Sequence, residues 1–294
     1  MKSKPTQKLL CNCNTKIDKN LYFTSSYDLY LYFMEKKRKD SNSLDTIKRI
    51  KISKDVGVSS AFFSHRGRRQ SMEDSHILLD STCCKNLCPS SKIRLEMYGI
   101  MDGHGGRNVA DFVQGHLPHL IFESIEKNAI EKKSIKQINS ILLDSFRRLQ
   151  ELIDEAVKVN KWSDGCCCLL ALIADNFVFI ANLGDSRAIL CRRYKTAPVE
   201  YQKAQIPTDN APRRGQHTFP WDRQESCPPV PAEILTLTVD HRPTLQSEKQ
   251  RIIQCGGQVE DGRVVGGGLA LAVSRSFGDC ALKRFHLFRI RLPL

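Results

Sequence analysis

Missing from the chain is any apolar run long enough to cross a membrane. The most apolar stretch, Cys166 to Leu183, is broken by Asp175 and Asn176 and reads as two strands joined by a turn. A secretory leader pattern is missing too, and so is a disulfide framework. The twelve cysteines include the adjacent pair Cys83–Cys84 and the triplet Cys166–Cys167–Cys168. Neighbours on a strand point to opposite faces, so this pattern suits reduced thiols in an intracellular protein, cytoplasmic or nuclear. Cys11-x-Cys13 and Cys83/Cys84/Cys88 are candidate soft-metal ligands, but no second pair or histidine stands at zinc-finger spacing. Nucleophile motifs are absent: there is no Gly-x-Ser-x-Gly, no Cys-x5-Arg phosphate loop and no Walker lysine. The cysteine triplet lies in an apolar run, where burial keeps thiols neutral and unreactive.

What is present suits a soluble globular chain. Its 294 residues are 41% hydrophobic and 26% charged, enough for one large domain or two small ones. The net charge of +13 suggests nucleic acid until it is located. Residues 1–55 carry 13 basic and 6 acidic groups, residues 192–231 carry 7 and 4, and residues 280–294 carry 4 and 0. The body between these segments is close to neutral, which argues against a nucleic-acid groove. Residues 1–55 lack clean periodicity and read as a solvated basic extension; the run Lys36-Lys37-Arg38-Lys39 within it also suits a nuclear address or an anionic surface.

Pattern begins at Val58. Residues 58–79 read as strand, polar turn, strand, and "KIRLEMYGIMD" as a strand ending in Asp102. Val109, Phe112, Val113, Leu117 and Leu120 share one face of a helix, and a longer helix is expected over about 134–159. A hairpin turning at Asp175-Asn176 follows, with a third strand after Gly184-Asp185. Residues 192–231, rich in Pro, Arg and Gln, read as a long loop or insertion. "ILTLTVD" is a strand. Pro243 and Thr244 open a helix with Leu245, Ile252 and Ile253 on its core face, closed by Gly256-Gly257; strand, turn and strand follow to Asp279. Antiparallel strand runs with helices between them predict an α+β fold, sheets packed on each other and covered by helices.

Several carboxylates sit where strands meet turns: Glu73 and Asp74 in "SMEDSH", Asp102 in "MDGHGG" and Asp185 in "NLGDSR". Taken singly, each is an ordinary turn residue. Together they carry more. Asp102 and Asp185 each follow a long apolar run that would hold them rigidly, and flanking glycines let the backbone approach a bound ion. Hard cations such as Mg²⁺ and Mn²⁺ seek several oxygens from such sites, and two of them can share a hydroxide poised to attack phosphorus. Arg69, four residues before Glu73, is placed to grip a phosphate, with Arg66 and Arg68 as competitors. His104 is placed to protonate a leaving alkoxide.

The ordered stretches "RRQSMEDSH", "YGIMDGHGG", "SDG", "IANLGDSRAILC", "LTVDHRP", "IIQCGGQV" and "LAVSRSFGD" resemble the metal-dependent PPM, or protein phosphatase 2C, family of serine/threonine phosphatases, in particular its integrin-linked-kinase-associated branch. The resemblance covers about Val58 to Asp279. It implies a two-sheet antiparallel β-sandwich flanked by helices, and a monomer acting on phosphorylated proteins through a metal-activated water. It implies two Mg²⁺ or Mn²⁺ ions bridged by Asp102, with Glu73 and the Gly103 carbonyl as further ligands and Asp74 holding a metal-bound water. Asp185 would serve a weaker third metal position, Arg69 would grip phosphate, and His104 would be the general acid. This chain departs from the family pattern in three ways. Cys166 and Cys167 replace small polar residues, the 192–231 segment adjoins the region resembling the substrate flap, and no Asp or Glu follows Asp279. The domain is therefore expected to be incomplete at its C-terminus and short of metal-binding aspartates, ending in a divergent basic tail over 280–294. The alternative expectation is a phosphatase-like binding or regulatory protein of weak or no activity.

Overall fold

A computed structural model describes residues 27–34, 47–51, 58–194 and 232–283. In chain order the elements are β1 (Tyr27–Met34), β2 (Ile47–Lys51), β3 (Ser75–Leu79), α1 (Ser81–Leu87), β4 (Leu95–His104), α2 (Asn108–Lys127), a 3₁₀ segment (Lys132–Gln137), α3 (Ile138–Asn160), β5 (Gly165–Ala174), β6 (Phe177–Leu183), β7 (Arg187–Tyr194), β8 (Ala232–Thr236), α4 (Gln246–Gln254), β9 (Gln258–Glu260), β10 (Arg263–Gly266), β11 (Leu269–Leu271), β12 (Phe277–Gly278) and α5 (Cys280–Lys283). The strands form an antiparallel sheet in the order β2-β6-β5-β4-β3, with β12 also paired to β5, and two three-stranded sheets, β1-β7-β8 and β11-β10-β9. The expected α+β arrangement of antiparallel sheets and helices is what the chain adopts.

The centre of the fold is β5. All ten of its residues are buried, which is why its sequence is continuously apolar instead of alternating. Cys166, Cys168, Leu170, Leu172 and Ala174 join the core beneath α2 and α3, with Val113, Leu117, Leu142 and Leu149. Leu169, Ala171 and Ile173 point the other way and pack with Ala188, Leu190 and Leu237. The period of two thus puts a helical layer on one face and a second sheet on the other. The hairpin turns where expected, with Asp175 in the left-handed region at φ +51°, a conformation Asp tolerates better than most residues.

Three expectations are corrected. Residues 58–74 are irregular; only Ser75–Leu79 of the expected pair of strands forms, and Phe63 is 84% exposed. A turn at Arg66–Arg69, with Gly67 at φ +64°, interrupts the run. Within the supposedly unpatterned first 55 residues, β1 pairs with β7 and β2 with β6. The helix expected to open at Pro243-Thr244 begins at Gln246, which leaves Leu245 as its N-cap, and Ile253, assigned to its core face, is exposed while Ile252 is buried. Cys11, Cys13, the basic run at 36–39, residues 195–231 and the tail beyond Lys283 lie outside the described residues. Cys83 and Cys84 sit on α1 and Cys88 just beyond it; burial pushes the Cys84 thiol up to about 12 and the Cys88 thiol up to about 11.

Candidate active site

Antiparallel register gathers the candidate residues at one sheet edge. Asp102, Gly103 and His104 are the last three residues of β4 and face Cys167, Cys166 and Gly165 of β5. On the other side, β3 pairs with β4 up to Ser75 opposite Met101. The chain before that pair continues alongside β4, bringing Glu73 against Gly103. The approach is so close that a Cβ on Gly103 would lie 2.2 Å from the Glu73 carbonyl oxygen. Gly103→Ala should therefore force β3 and β4 apart at this point, and stability in urea should fall while Gly115→Ala, at a position with open space around it, leaves it unchanged or raises it.

His104 has a partner that the sequence reading did not assign. Its Nε2 lies 3.0 and 2.9 Å from the two carboxylate oxygens of Asp279, which is 3% exposed and also accepts from the Ser276 hydroxyl. Gly165 makes room for this carboxylate, since a Cβ there would sit 2.3 Å from Asp279 Oδ2. Burial alone pulls the His104 pKa down. The hydrogen bond and charge of Asp279, with Asp102 and Asp164 adding to it, outweigh burial and hold the pKa above the ordinary histidine range. A histidine whose protonated form is favoured in this way, at a partly exposed edge, is suited to donating a proton.

Asp164 was missed as well. Buried, it accepts from the Val109 backbone N–H at 2.8 Å and from Asn108 Nδ2 at 3.3 Å. It thereby caps α2 from 55 positions away, where the side chain of the local N-cap residue, Arg107, makes no capping bond. Both missed residues carry the texture that singled out Asp102 and Asp185, an acid beside a glycine at a strand end: Asp164 precedes Gly165 and Asp279 follows Gly278.

The remaining expected residues are placed as follows. Asp74 is half-buried directly before β3. Glu73 Oε1 accepts from the Ser71 hydroxyl at 3.4 Å. Asp185 is buried in the turn after β6, its carboxylate taken by Arg242 at 3.1 Å, with the Cys167 thiol 3.8 Å away as a weak donor. Asp102 and Asp185 thus flank Cys167, and burial first, then those two charges, raise that thiol well above its ordinary range. Arg66, Arg68 and Arg69 lie on the exposed loop before Glu73. Arg66 donates to the Gln70 carbonyl at 3.0 Å.

Residues 237–242 are stitched to this edge. His241 and Gly184 exchange two hydrogen bonds, of 2.9 and 3.1 Å, and Arg187 grips Asp240 at 2.8 and 3.2 Å. Behind them lies a buried ion cluster. Glu248 accepts from Arg275 at 2.6 and 2.9 Å, from Arg251 at 2.8 Å and from the Ser274 hydroxyl at 2.7 Å. Burial pushes the Glu248 pKa up, but the two arginines outweigh it and hold the carboxyl far below its usual range.

For a divalent cation the fit is partial. Asp102 and Gly103 lie at the end of β4 and the Glu73 backbone comes against Gly103, which lacks a Cβ where the two chains meet, so residues with hard oxygen donors share one edge. Among the described residues, no three of His, Cys, Asp and Glu form a ready cluster, and Asp185 is already ion-paired. No helix among them is long and apolar enough to cross a membrane.

Comparison with known proteins places the chain in a family. The chain matches the profile of "Protein phosphatase 2C" over residues 58–213 and 231–291. It is 33% identical over 231 residues to "Integrin-linked kinase-associated serine/threonine phosphatase 2C" of Mus musculus, covering 78% of this chain and 50% of that protein. It is 30% identical over 234 residues to "Probable protein phosphatase 2C 8" of Arabidopsis thaliana, covering 79% of this chain and 58% of that protein. Its fold is similar to the crystal structure of serine-threonine phosphatase 2C from Toxoplasma gondii, with a TM-score of 0.54 at 19% identity, covering 83% of this chain and 76% of that one. The chain spans about half the length of the curated relatives it matches.

Proposed function

From the premise that the chain belongs to the protein phosphatase 2C family, we propose that it hydrolyses phosphoserine and phosphothreonine in phosphorylated proteins. The observation that carries the proposal is the meeting of Glu73, Asp102 and the His104–Asp279 pair at one sheet edge. In this reading Glu73, Asp102 and the Gly103 carbonyl hold Mg²⁺ or Mn²⁺. Asp74 orients water beside them. The cation's chemistry there is to acidify water and to neutralise phosphate charge. Arg69 grips the substrate phosphate with its guanidinium. His104 hands its proton to the departing serine or threonine oxygen, and Asp279 fixes the ring for that transfer.

The test uses the full chain, a phosphothreonine peptide and Mn²⁺. Turnover should appear with Mn²⁺, and Asp102→Ala should cost at least about 10²-fold in rate, the scale of losing one charge-stabilising group at the reacting centre. Absence of turnover by the parent chain, with phosphopeptide still bound, would favour a phosphatase-like binding protein instead.

A further inference from the structure

We propose that Ser71 is a phosphorylation site for an arginine-directed serine kinase, and that its phosphate takes from the substrate the arginines beside the active site. The second half rests on the phosphatase reading above; the first does not.

Sequence and exposure point to the same hydroxyl. Ser71 closes the run Arg68-Arg69-Gln70-Ser71, with basic residues two and three positions before it. Among the described serines and threonines it alone has that spacing. It lies in a bend of the irregular segment before β3, exposed and outside any helix or strand, so its hydroxyl and the residues before it are open to a kinase. By contrast Ser75, Ser145, Ser186, Ser274 and Ser276 are buried. Kinases choose substrates largely by such charge patterns.

Most of the other described arginines meet a carboxylate; of the exceptions, Arg49 lies over the Phe177 ring and Arg263 donates to the Ala270 carbonyl. Arg94, Arg107, Arg147, Arg148, Arg187, Arg242, Arg251 and Arg275 each pair with a carboxylate. Arg66, Arg68 and Arg69 have no carboxylate partner among the described residues, and Arg66 alone makes a side-chain bond, to a carbonyl. Solvated surface arginines are common, so this alone decides nothing. It matters because of what a phosphate on Ser71 would meet. The unmodified hydroxyl faces Glu73 Oε1 at 3.4 Å. A phosphate carrying about −1.5 to −2 charge is repelled from that carboxylate and has on its own loop Arg68 and Arg69, neither with a carboxylate partner among the described residues, and Arg66, held only to a carbonyl. Their bidentate geometry suits it. Arg69, the residue assigned to substrate phosphate, is then occupied.

The modification balances with a nucleoside triphosphate as donor. The bond from the γ-phosphorus to the bridging oxygen breaks and a bond from that phosphorus to Ser71 Oγ forms. The hydroxyl proton passes to the kinase's base, and nucleoside diphosphate leaves.

The full chain is to be incubated with ATP, Mg²⁺ and the catalytic subunit of an arginine-directed serine kinase, and phosphate located by mass spectrometry. The same incubation is run on Asp102→Ala, in which self-dephosphorylation is silenced. Ser71 should be the principal site, lost in Ser71→Ala and slowed about tenfold or more in Arg68→Gln/Arg69→Gln, the scale of one lost charge-assisted contact. Phosphate at other sites only, or none in either form, overturns the assignment. Binding of a fluorescent phosphothreonine peptide is then read by anisotropy. The Ser71-phosphorylated protein should bind about tenfold or more weakly than the unmodified chain, and equal binding overturns the occlusion. If the unmodified chain neither binds nor hydrolyses the peptide, the phosphatase reading fails, while the mapping of Ser71 stands on its own.

Discussion

Glu248→Gln is expected to lower the free energy of unfolding by about 3–5 kcal/mol, the cost of breaking a buried ion pair by removing one partner. Glu248 is 1% exposed and gathers Arg275, Arg251 and the Ser274 hydroxyl around one carboxylate. The glutamine keeps the volume and some of the hydrogen bonds, but two guanidiniums, Arg275 buried and Arg251 half-buried, are left facing a neutral group. The comparison variant is Glu123→Gln, which breaks the exposed pairs with Lys127 and Arg148 and should leave stability nearly unchanged, because such pairs are screened by solvent. Urea unfolding with an unchanged m-value measures both, and a Glu248→Gln midpoint equal to the parent's would sink the idea.

The same cluster sets a pH dependence. Glu248 has its pKa depressed in the folded state, so its contribution is present above the ordinary carboxylate range and is lost as pH falls towards the folded pKa. His241 is buried next to Arg275, and burial first, then that charge, take its pKa down to about 3. The unfolded chain protonates this histidine near pH 6.5 while the folded chain does not. Between about pH 6.5 and 3 the unfolded state therefore binds the extra proton, and stability declines on acidification. His104, with its raised pKa, acts in the opposite sense, so the check is a difference: the pH 7-to-5 change in urea midpoint of His241→Asn should lack the His241 loss, and identical changes in parent and variant would contradict this assignment.

Much of this architecture was readable because burial leaves a strong pattern. β5 could be found from its unbroken apolar run, and α3 from its stripe of Ile, Leu and Phe. Asp102 could be placed because a strand that ends at a glycine-rich turn delivers its last carboxylate to a sheet edge. β1 and β2 were hidden for a physical reason: Tyr27–Met34 is strand-prone in aromatics, but charged and polar stretches surround it, so a window wide enough to show periodicity averages it away. The loop at 58–74 failed in the opposite direction. Val58, Phe62 and Phe63 suggest a strand, yet the turn at Arg66–Arg69 cuts it short and Phe62 stacks on His76 with ring centroids 3.6 Å apart. Asp164 and Asp279 were illegible in their roles because their partners stand 55 and 175 positions away. No local rule connects a carboxylate after β12 to a histidine at the end of β4. Only the pairing of β12 with β5, which in turn pairs with β4, brings them together.

That connection carries the other large expected effect. Asp279→Asn should lower kcat on a phosphothreonine peptide by about 10²-fold, the low end of what a positioned acid contributes, with KM little changed. The substitution keeps the size of the side chain and leaves a group that can still bond the ring, but it removes the charge. Without that charge, burial is opposed only by Asp102 and Asp164, and the His104 pKa falls relative to the parent's. A smaller fraction of the enzyme then holds the proton at neutral pH, so the alkaline limb of the kcat profile should move to lower pH. An aryl phosphate separates this role from general damage. Its phenolate departs without needing a proton, so p-nitrophenyl phosphate turnover should fall far less than peptide turnover. Equal losses on both substrates, or an alkaline limb that stays in place, would reduce Asp279 to a structural residue. A wide gap between the two substrates would instead show that the contact at 2.9 Å acts on the proton, because a distorted site would slow both reactions alike.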